Sequence, residues 1–324
     1  MITLENINRA HQADLERLNE RIYSKLQSTN SLLSHILTSL LRTKGKQLRP
    51  LLLIMCAKMF GQVDEKVLAS AAAVELLHNA SLIHDDVVDN SMTRRSKPTI
   101  NAVWDNHIAV LVGDYFTSTS MQEAISTGDI RIVDALCKLG RQLSLGEIDQ
   151  INNAREHSLT EDGYYHVIDY KTASLFIASA EMGCYSVNAP EEAREMLAQY
   201  ALLFGRCFQI RDDVFDYYPS DLVGKPTGND LREGKVSLPL LHVLENESLP
   251  NHSEVKALLA KDSLTDEEIQ YIQAFARDNG GIDYAFEVMH QLRNQAMSGL
   301  EGIGSDAIRE ELGALFDFII ERQF

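Results

Sequence analysis

LLHNASLIHDDVVDNSMTRR, Leu76 to Arg95, runs an apolar helical stretch into three carboxylates, Asp85, Asp86 and Asp89, and then into two arginines, Arg94 and Arg95. On a helix, residues four apart lie one above the other, so Asp85 and Asp89 share a face with Asp86 one residue round. Acids are disfavoured at the end of a helix, because the C-terminal pole of the macrodipole is negative. Two like charges ~4 Å apart also repel by roughly 4 kcal/mol at an effective dielectric near 20. A cation between them relieves that repulsion; a solvated acidic helix end carries the same pattern without one.

Far along the chain, FQIRDDVFDYY repeats the arrangement with Asp212, Asp213 and Asp216, again closing an apolar helix. Two such clusters on antiparallel neighbours would enclose several divalent ions. Carboxylates alone suit Mg²⁺, which takes octahedral oxygen geometry at about 2.0–2.1 Å and shares its sphere with phosphates and water. Short basic groups flank both clusters: Lys46 and Arg49 in KGKQLRP, Arg94 and Arg95, Lys171 with Thr172 in DYKTAS, Lys225 in GKP and Lys235 in EGKVSLP. In a chain of net charge −17 these placements point to anionic substrates bridged to the carboxylates through metal.

The remainder of the chain reads as helix. No proline falls between Thr99 and Ala189, which permits helices without kinks. Apolar residues there recur at three and four residue spacing, as at Ile130, Val133, Leu136, Cys137 and Leu139. The expectation is about a dozen helices and no sheet, in one all-α domain over residues 1–324, because no repeat or change of composition divides the chain. With 45% hydrophobic and 24% charged residues the composition is that of a soluble globular protein. No uninterrupted apolar run approaches the ~18 residues of a membrane span. The first residues, MITLENINRAHQADLERLNE, read as an amphipathic helix and not a secretory signal. Cys56, Cys137, Cys184 and Cys207 show no CxxC spacing, so a reducing cytoplasm is expected, with neither a zinc site nor a disulfide framework. The acidic balance argues against a general nucleic-acid binder, which needs a basic surface to displace counterions.

Taken together, GKQLRP, ELLHNASLIHDDVVDNSMTRR, VLVGDY, GEIDQ, DYKTASLF, FQIRDDVFDYY and GKPTGNDLREGKVSLPL occur in the order of one known family. From about Leu32 to Leu241 the chain resembles the trans-prenyltransferases, the isoprenyl diphosphate synthases. The resemblance implies an all-α bundle around a deep central cavity, a homodimer, and acidic motifs facing each other across the cavity mouth. It also implies roles. Lys46, Arg49 and His78, with Arg95, resemble the set that holds the diphosphate of isopentenyl diphosphate. Arg94, Lys171 and Lys225 resemble ligands of the allylic diphosphate, whether dimethylallyl, geranyl or farnesyl, and Thr172 and Gln209 resemble groups lining the reacting end. Asp85, Asp89 and Asp212 correspond to direct ligands of three Mg²⁺ ions, Asp86, Asp213 and Asp216 to water-mediated or supporting acids, and Lys235 to a base steadying the second motif. Thr43-Lys44 and Arg211 depart from the usual pattern, and His84 matches no ligand.

The same resemblance implies a chemistry: ionisation of the allylic diphosphate, attack by the double bond of isopentenyl diphosphate, and loss of a proton to the released diphosphate. Product length is read from the helix before Asp85. Ala80 and Ser81 lie about one turn back, ~7.5 Å at most, Leu77 about two turns and Val74 about three. Short-chain members carry an aromatic residue at the Ala80 or Ser81 position, where this chain has small ones, so the expected product is a long all-trans polyprenyl diphosphate of the type used for quinone side chains, longer than geranylgeranyl diphosphate. The expectation rests most on Ala80, where Tyr is expected to shorten the product. Two rivals stay open on sequence: a short-chain synthase floored by another helix, and a non-catalytic subunit of a heteromeric synthase. A carboxylate-bridged iron protein needs Glu-x-x-His pairs, and only Glu75 with His78 has that spacing near the motifs.

Overall fold

The computed structural model describes residues 2–41, 45–94, 97–156, 160–219, 227–261 and 263–322. Thr43, Lys44, Arg95 and Lys225 lie outside the described residues. In chain order, α1 (Leu4–Ala10), α2 (Gln12–Lys25), α3 (Ser31–Leu41), α4 (Leu48–Lys58) and α5 (Glu65–Val88) lead to a two-residue antiparallel ribbon of β1 (Thr93–Arg94) and β2 (Lys97–Pro98). Next come α6 (Ile100–Val103), α7 (Asn106–Ser126), α8 (Ile130–Glu156), α9 (Glu161–Ile168), a π-helical turn (Asp169–Ala173), α10 (Ser174–Ser186) and α11 (Glu191–Asp216). The last third holds α12 (Asn229–Arg232), α13 (Leu238–Leu244), α14 (His252–Leu259), α15 (Asp266–Asp278), α16 (Gly281–Ser298) and α17 (Asp306–Glu321). The fold is all-α, as expected. The ribbon departs from the expectation of no sheet, and strands of two residues have no alternation for a sequence reading to find. The described residues also form seventeen α-helices where about a dozen were expected, several of them only one or two turns long.

Two apolar clusters make the core, and α4 with α10 belongs to both. In α4 every residue from Leu51 to Ala57 is fully buried, which explains a helix apolar on all sides. One cluster gathers α11 and the C-terminal helices, the other α2, α5, α7 and α8. α5 begins at Asp64, whose carboxylate accepts hydrogen bonds from the amides of Lys66 and Val67, each 3.0 Å, satisfying two of the orphan donors of the first turn. It then lies along α7, where Ser120 Oγ donates to the Ala73 carbonyl at 2.7 Å. Lower down, Gly113 leaves room for the His84 ring: a Cβ there would fall 2.2 Å from His84 Nε2. His84 thus packs against the neighbouring helix.

By length and composition alone α5 is apolar enough to cross a membrane, with a mean hydropathy of 1.2 over its most apolar window. Its alanines raise that value without forming one unbroken apolar run, and 61% of the window is buried inside the protein. Core burial accounts for the composition.

The π-helical turn between α9 and α10 is held from two sides. A Cβ on Gly146 of α8 would come 2.9 Å from Tyr170 Cβ and 3.0 Å from the Lys171 amide nitrogen. On Gly205 of α11 a Cβ would come 2.5 Å from Ala173 Cα. Only glycine allows such close approach of backbones. Arg206, beside Gly205, forks onto Asp169 with Nε to Oδ1 at 2.7 Å and Nη2 to Oδ2 at 2.6 Å. A π turn widens the helix by one residue per hydrogen-bonded ring; here it carries Lys171 and Thr172.

Candidate active site

The C-terminal ends of α5 and α11 open on one cavity of about 400 Å³. α5 supplies His78, Ser81, Asp85 and Asp89 to its wall, and α11 supplies Gln209, Asp212 and Asp213. Arg94 reaches it from β1, Arg49 from α4, Lys171 and Thr172 from the π turn, and Lys235 from the segment before α13. The structure thus brings twelve of the candidate residues to one space.

Others stand behind the wall. Asp86 is buried and accepts a hydrogen bond from Arg94 Nε at 2.8 Å, so it orients that arginine. Asp216 accepts hydrogen bonds from the amides of Gly228, Asn229 and Asp230 at 2.9, 3.3 and 3.2 Å, capping α12 and fixing the segment that carries Asp230. Lys46 Nζ lies 5.2 Å over the Phe318 ring and does not border the cavity. Between Lys46 and Arg49, Gln47 adopts a left-handed backbone at φ 49°, a conformation that costs L-residues on the order of 1–2 kcal/mol. A reciprocal amide pair with Asn19, at 2.9 and 3.2 Å, holds it there.

The four chain-length candidates separate. On a helix turning about 100° per residue, Ser81 lies about 40° from Asp85 and Ala80 about 140° away. Ser81 borders the cavity, whereas Ala80 is 1% exposed within the core cluster that joins α5 to α7. Leu77 and Val74 are buried in that same cluster. The cavity wall is therefore read at Ser81; Ala80 is part of the support behind it.

Burial pushes the Asp85 carboxyl up to about 6, with Glu147 and Asp89 adding to the rise and Lys171 and Arg94 opposing it. Asp86 is raised by burial against the pull of Arg94. Asp213 is raised well above the usual carboxylate range by burial and then by Asp230, although Tyr164 Oη and Gln209 Nε2 donate to it at 2.6 and 2.7 Å. Thr172 Oγ1 donates to Gln209 Oε1 at 2.7 Å, so one chain of hydrogen bonds runs from the π turn to the second acidic cluster. Burial is the largest single influence on Lys235 and lowers it, but the hydrogen bond to Glu233 and the charges of Glu233, Asp89 and Asp230 together outweigh it, so Lys235 is held above its ordinary value as a cation beside the acids.

This arrangement fits a hard divalent ion. The donors are carboxylate oxygens only, and the charge on Asp85 is disfavoured by burial and by Glu147 and Asp89 beyond what Lys171 and Arg94 offset, a balance that a bound cation would improve. Among the described residues no group of three His, Cys, Asp or Glu side chains is placed to hold a metal ion on its own. Each cluster can therefore supply part of a coordination sphere and leave the remaining positions to diphosphate oxygens and water, as suits Mg²⁺.

Sequence reasoning passed over five residues that shape the site. Glu147 forms an ion pair with Lys171, and Gln150 accepts a hydrogen bond from Lys171 Nζ at 2.6 Å; both sit in GEIDQ, quoted for its pattern and not for its chemistry. Tyr164 and Asp230 line the cavity. Arg322, at the end of α17, donates to Asp212 from 110 residues away, with no local signal to announce it. Arg211, the departure before the second cluster, points away: it is buried, stacks 4.3 Å from the Phe215 ring, and donates to the Arg322 carbonyl at 2.6 Å.

The sequence model of the family described as Polyprenyl synthetase matches residues 30–276. An octaprenyl diphosphate synthase of Haemophilus influenzae is 28% identical over 100% of this chain and 98% of its own length. A nonaprenyl diphosphate synthase of Mycobacterium tuberculosis is 32% identical over 97% of this chain and 93% of its own. The crystal structure of a polyprenyl synthase from Caulobacter crescentus, complexed with calcium and isoprenyl diphosphate, superposes with a TM-score of 0.92 at 29% identity, covering 99% of this chain and 98% of that one.

Proposed function

The chain belongs to the polyprenyl synthetase family, and from that premise we propose that it condenses isopentenyl diphosphate with an allylic diphosphate to build a long all-trans polyprenyl diphosphate. The observation that carries this reading is the meeting of two carboxylate clusters with Lys171, Arg94 and Arg49 around one cavity. Lys171 and Arg94 hold the allylic diphosphate and stabilise the charge that grows on it as the carbon–oxygen bond breaks. Asp85, Asp89 and Asp212 would hold Mg²⁺, which would supply Lewis-acid charge to the departing diphosphate. Thr172, its proton committed to Gln209, presents oxygen lone pairs toward the developing carbocation. Leu82, Val167, Leu175 and Phe208 give the cavity an apolar lining that keeps water from the cation. Arg49 and His78 orient isopentenyl diphosphate from α4 and α5, and Lys46 and Arg95 share in holding its diphosphate.

Long product fits a small Ser81 at the wall and relatives named for octaprenyl and nonaprenyl products. Incubation with Mg²⁺, labelled isopentenyl diphosphate and farnesyl diphosphate, followed by chromatography of the dephosphorylated products, tests both halves. A ladder ending well beyond geranylgeranyl is expected; a C15 or C20 end point sinks the long-chain half, and no elongation sinks the enzyme. We place a second copy of the chain on α7, where Val110, Leu111, Met121 and Ile125 lie on one face at 40%, 62%, 48% and 64% exposure, an apolar patch of the kind that marks interfaces. Sedimentation at twice 36.3 kDa is expected, and a monomer at micromolar concentration contradicts it.

A further inference from the structure

Arg322 is the point where the second acidic cluster meets an alternating stack of guanidinium groups and rings. Its guanidinium lies 4.7 Å from the Phe208 ring and 5.3 Å from Phe215. Arg49 lies 5.8 Å from that same Phe208 ring and 5.0 Å from Phe176, and Arg211 continues the stack on Phe215 and Phe286 at 4.3 and 5.0 Å. Arg322 Nη2 donates to Asp212 Oδ1 and also to the Phe208 carbonyl at 3.3 Å. Its side chain is 9% exposed, yet Nε has no hydrogen-bond partner among the described residues. Asp212 itself stays 39% exposed to the cavity.

A buried guanidinium with an unused donor, set on the carboxylate proposed to take metal, is a cation in a cation's place. Resting on the metal reading of Asp212, we propose that Arg322 is a positioning residue that occupies Asp212 in the metal-free enzyme and yields it when metal arrives. Two cations cannot share one carboxylate oxygen at hydrogen-bond range without repelling each other. The released guanidinium keeps its stacking on Phe208, beside Arg49, and turns its donors to the diphosphate of isopentenyl diphosphate. Metal loading at one substrate and anion capture at the other are thereby linked through a single side chain, anchored by Arg211 through its carbonyl.

The test is Mn²⁺ binding without any diphosphate, read by electron paramagnetic resonance on the full chain, for wild type, Arg322→Gln, Arg322→Lys and Asp212→Asn, each first checked for an unchanged melting temperature. Arg322→Gln binds Mn²⁺ about three- to fivefold more tightly, the worth of one ion pair at a partly exposed carboxylate, and Arg322→Lys, which keeps the charge, does not. The same Gln variant raises the KM for isopentenyl diphosphate and leaves that for the allylic diphosphate unchanged. If Asp212→Asn weakens Mn²⁺ but Arg322→Gln fails to tighten it, the exchange is overturned while the metal site stands. If Asp212→Asn binds Mn²⁺ as wild type does, the metal reading of Asp212 is lost and the exchange with it.

Discussion

Lys171→Ala lowers kcat by about a hundred- to a thousandfold, the usual worth of one preorganised charge aimed at a departing anion, and initial rates with labelled isopentenyl diphosphate measure it. The effect is large because the ammonium is fixed: Glu147 and Gln150 hold it from α8, and the π turn holds its backbone. A wild-type rate in this variant would remove Lys171 from the reaction. The substitution also changes stability with pH in a direction that can be worked out. Asp85 titrates at about 6 in the folded chain, above its ordinary value, so its protonated form favours folding and that stability is lost as pH rises toward 6. Lys171 opposes the rise. Without it the Asp85 pKa climbs further, and the metal-free variant loses more stability between mildly acidic and neutral pH than the wild type. Melting temperatures in a chelator, taken across that interval, should diverge as the pH goes up.

Ser81→Phe shortens the main product to about the farnesyl or geranylgeranyl stage. An aromatic ring buries roughly 150–250 Å², and at this position it stands in a cavity of about 400 Å³, one turn below Asp85. Ala80→Tyr acts differently. At a site 1% exposed in packed core the ring meets neighbours first, so about 1–3 kcal/mol of overpacking destabilisation is expected, with a smaller change of product. Chromatography and thermal melts on the two variants separate these outcomes; equal product lengths from Ser81→Phe and wild type would remove Ser81 as the wall.

Those two neighbours show what the sequence could and could not convey. Helical period and acid spacing are local properties, so α5, α11 and both clusters were legible, and with them the all-α class and most of the basic residues at the site. Distance along the helix was legible too, and on distance alone the weight fell on Ala80. The directions of Ala80 and Ser81 differ by about 100°, and it is Ser81 that borders the cavity, because what each direction meets depends on packing between helices. Glu147 lies in the GEIDQ motif, but its partner Lys171 is 24 residues on and meets it only through the π turn. That turn has no local code. Its determinants, Gly146 and Gly205, are two glycines on other helices whose reason is visible only once three backbones converge. Arg322 is further still from any motif it serves.

The wedging of the π turn between those glycines bears on how a polymer of isoprene units is made at all. Repeated addition demands that something travel by one five-carbon step per cycle. The backbone that carries Lys171 and Thr172 is not that part, because Gly146 and Gly205 close on it from both sides. The reaction centre behaves as a stationary die, and the growing hydrocarbon is the wire drawn through it: each turnover must push the finished tail past Ser81 before the next unit is joined. On the proposed mechanism, processivity is then set by how easily the tail slides, a property of the wall, and the groups proposed to be catalytic need no resetting between rounds.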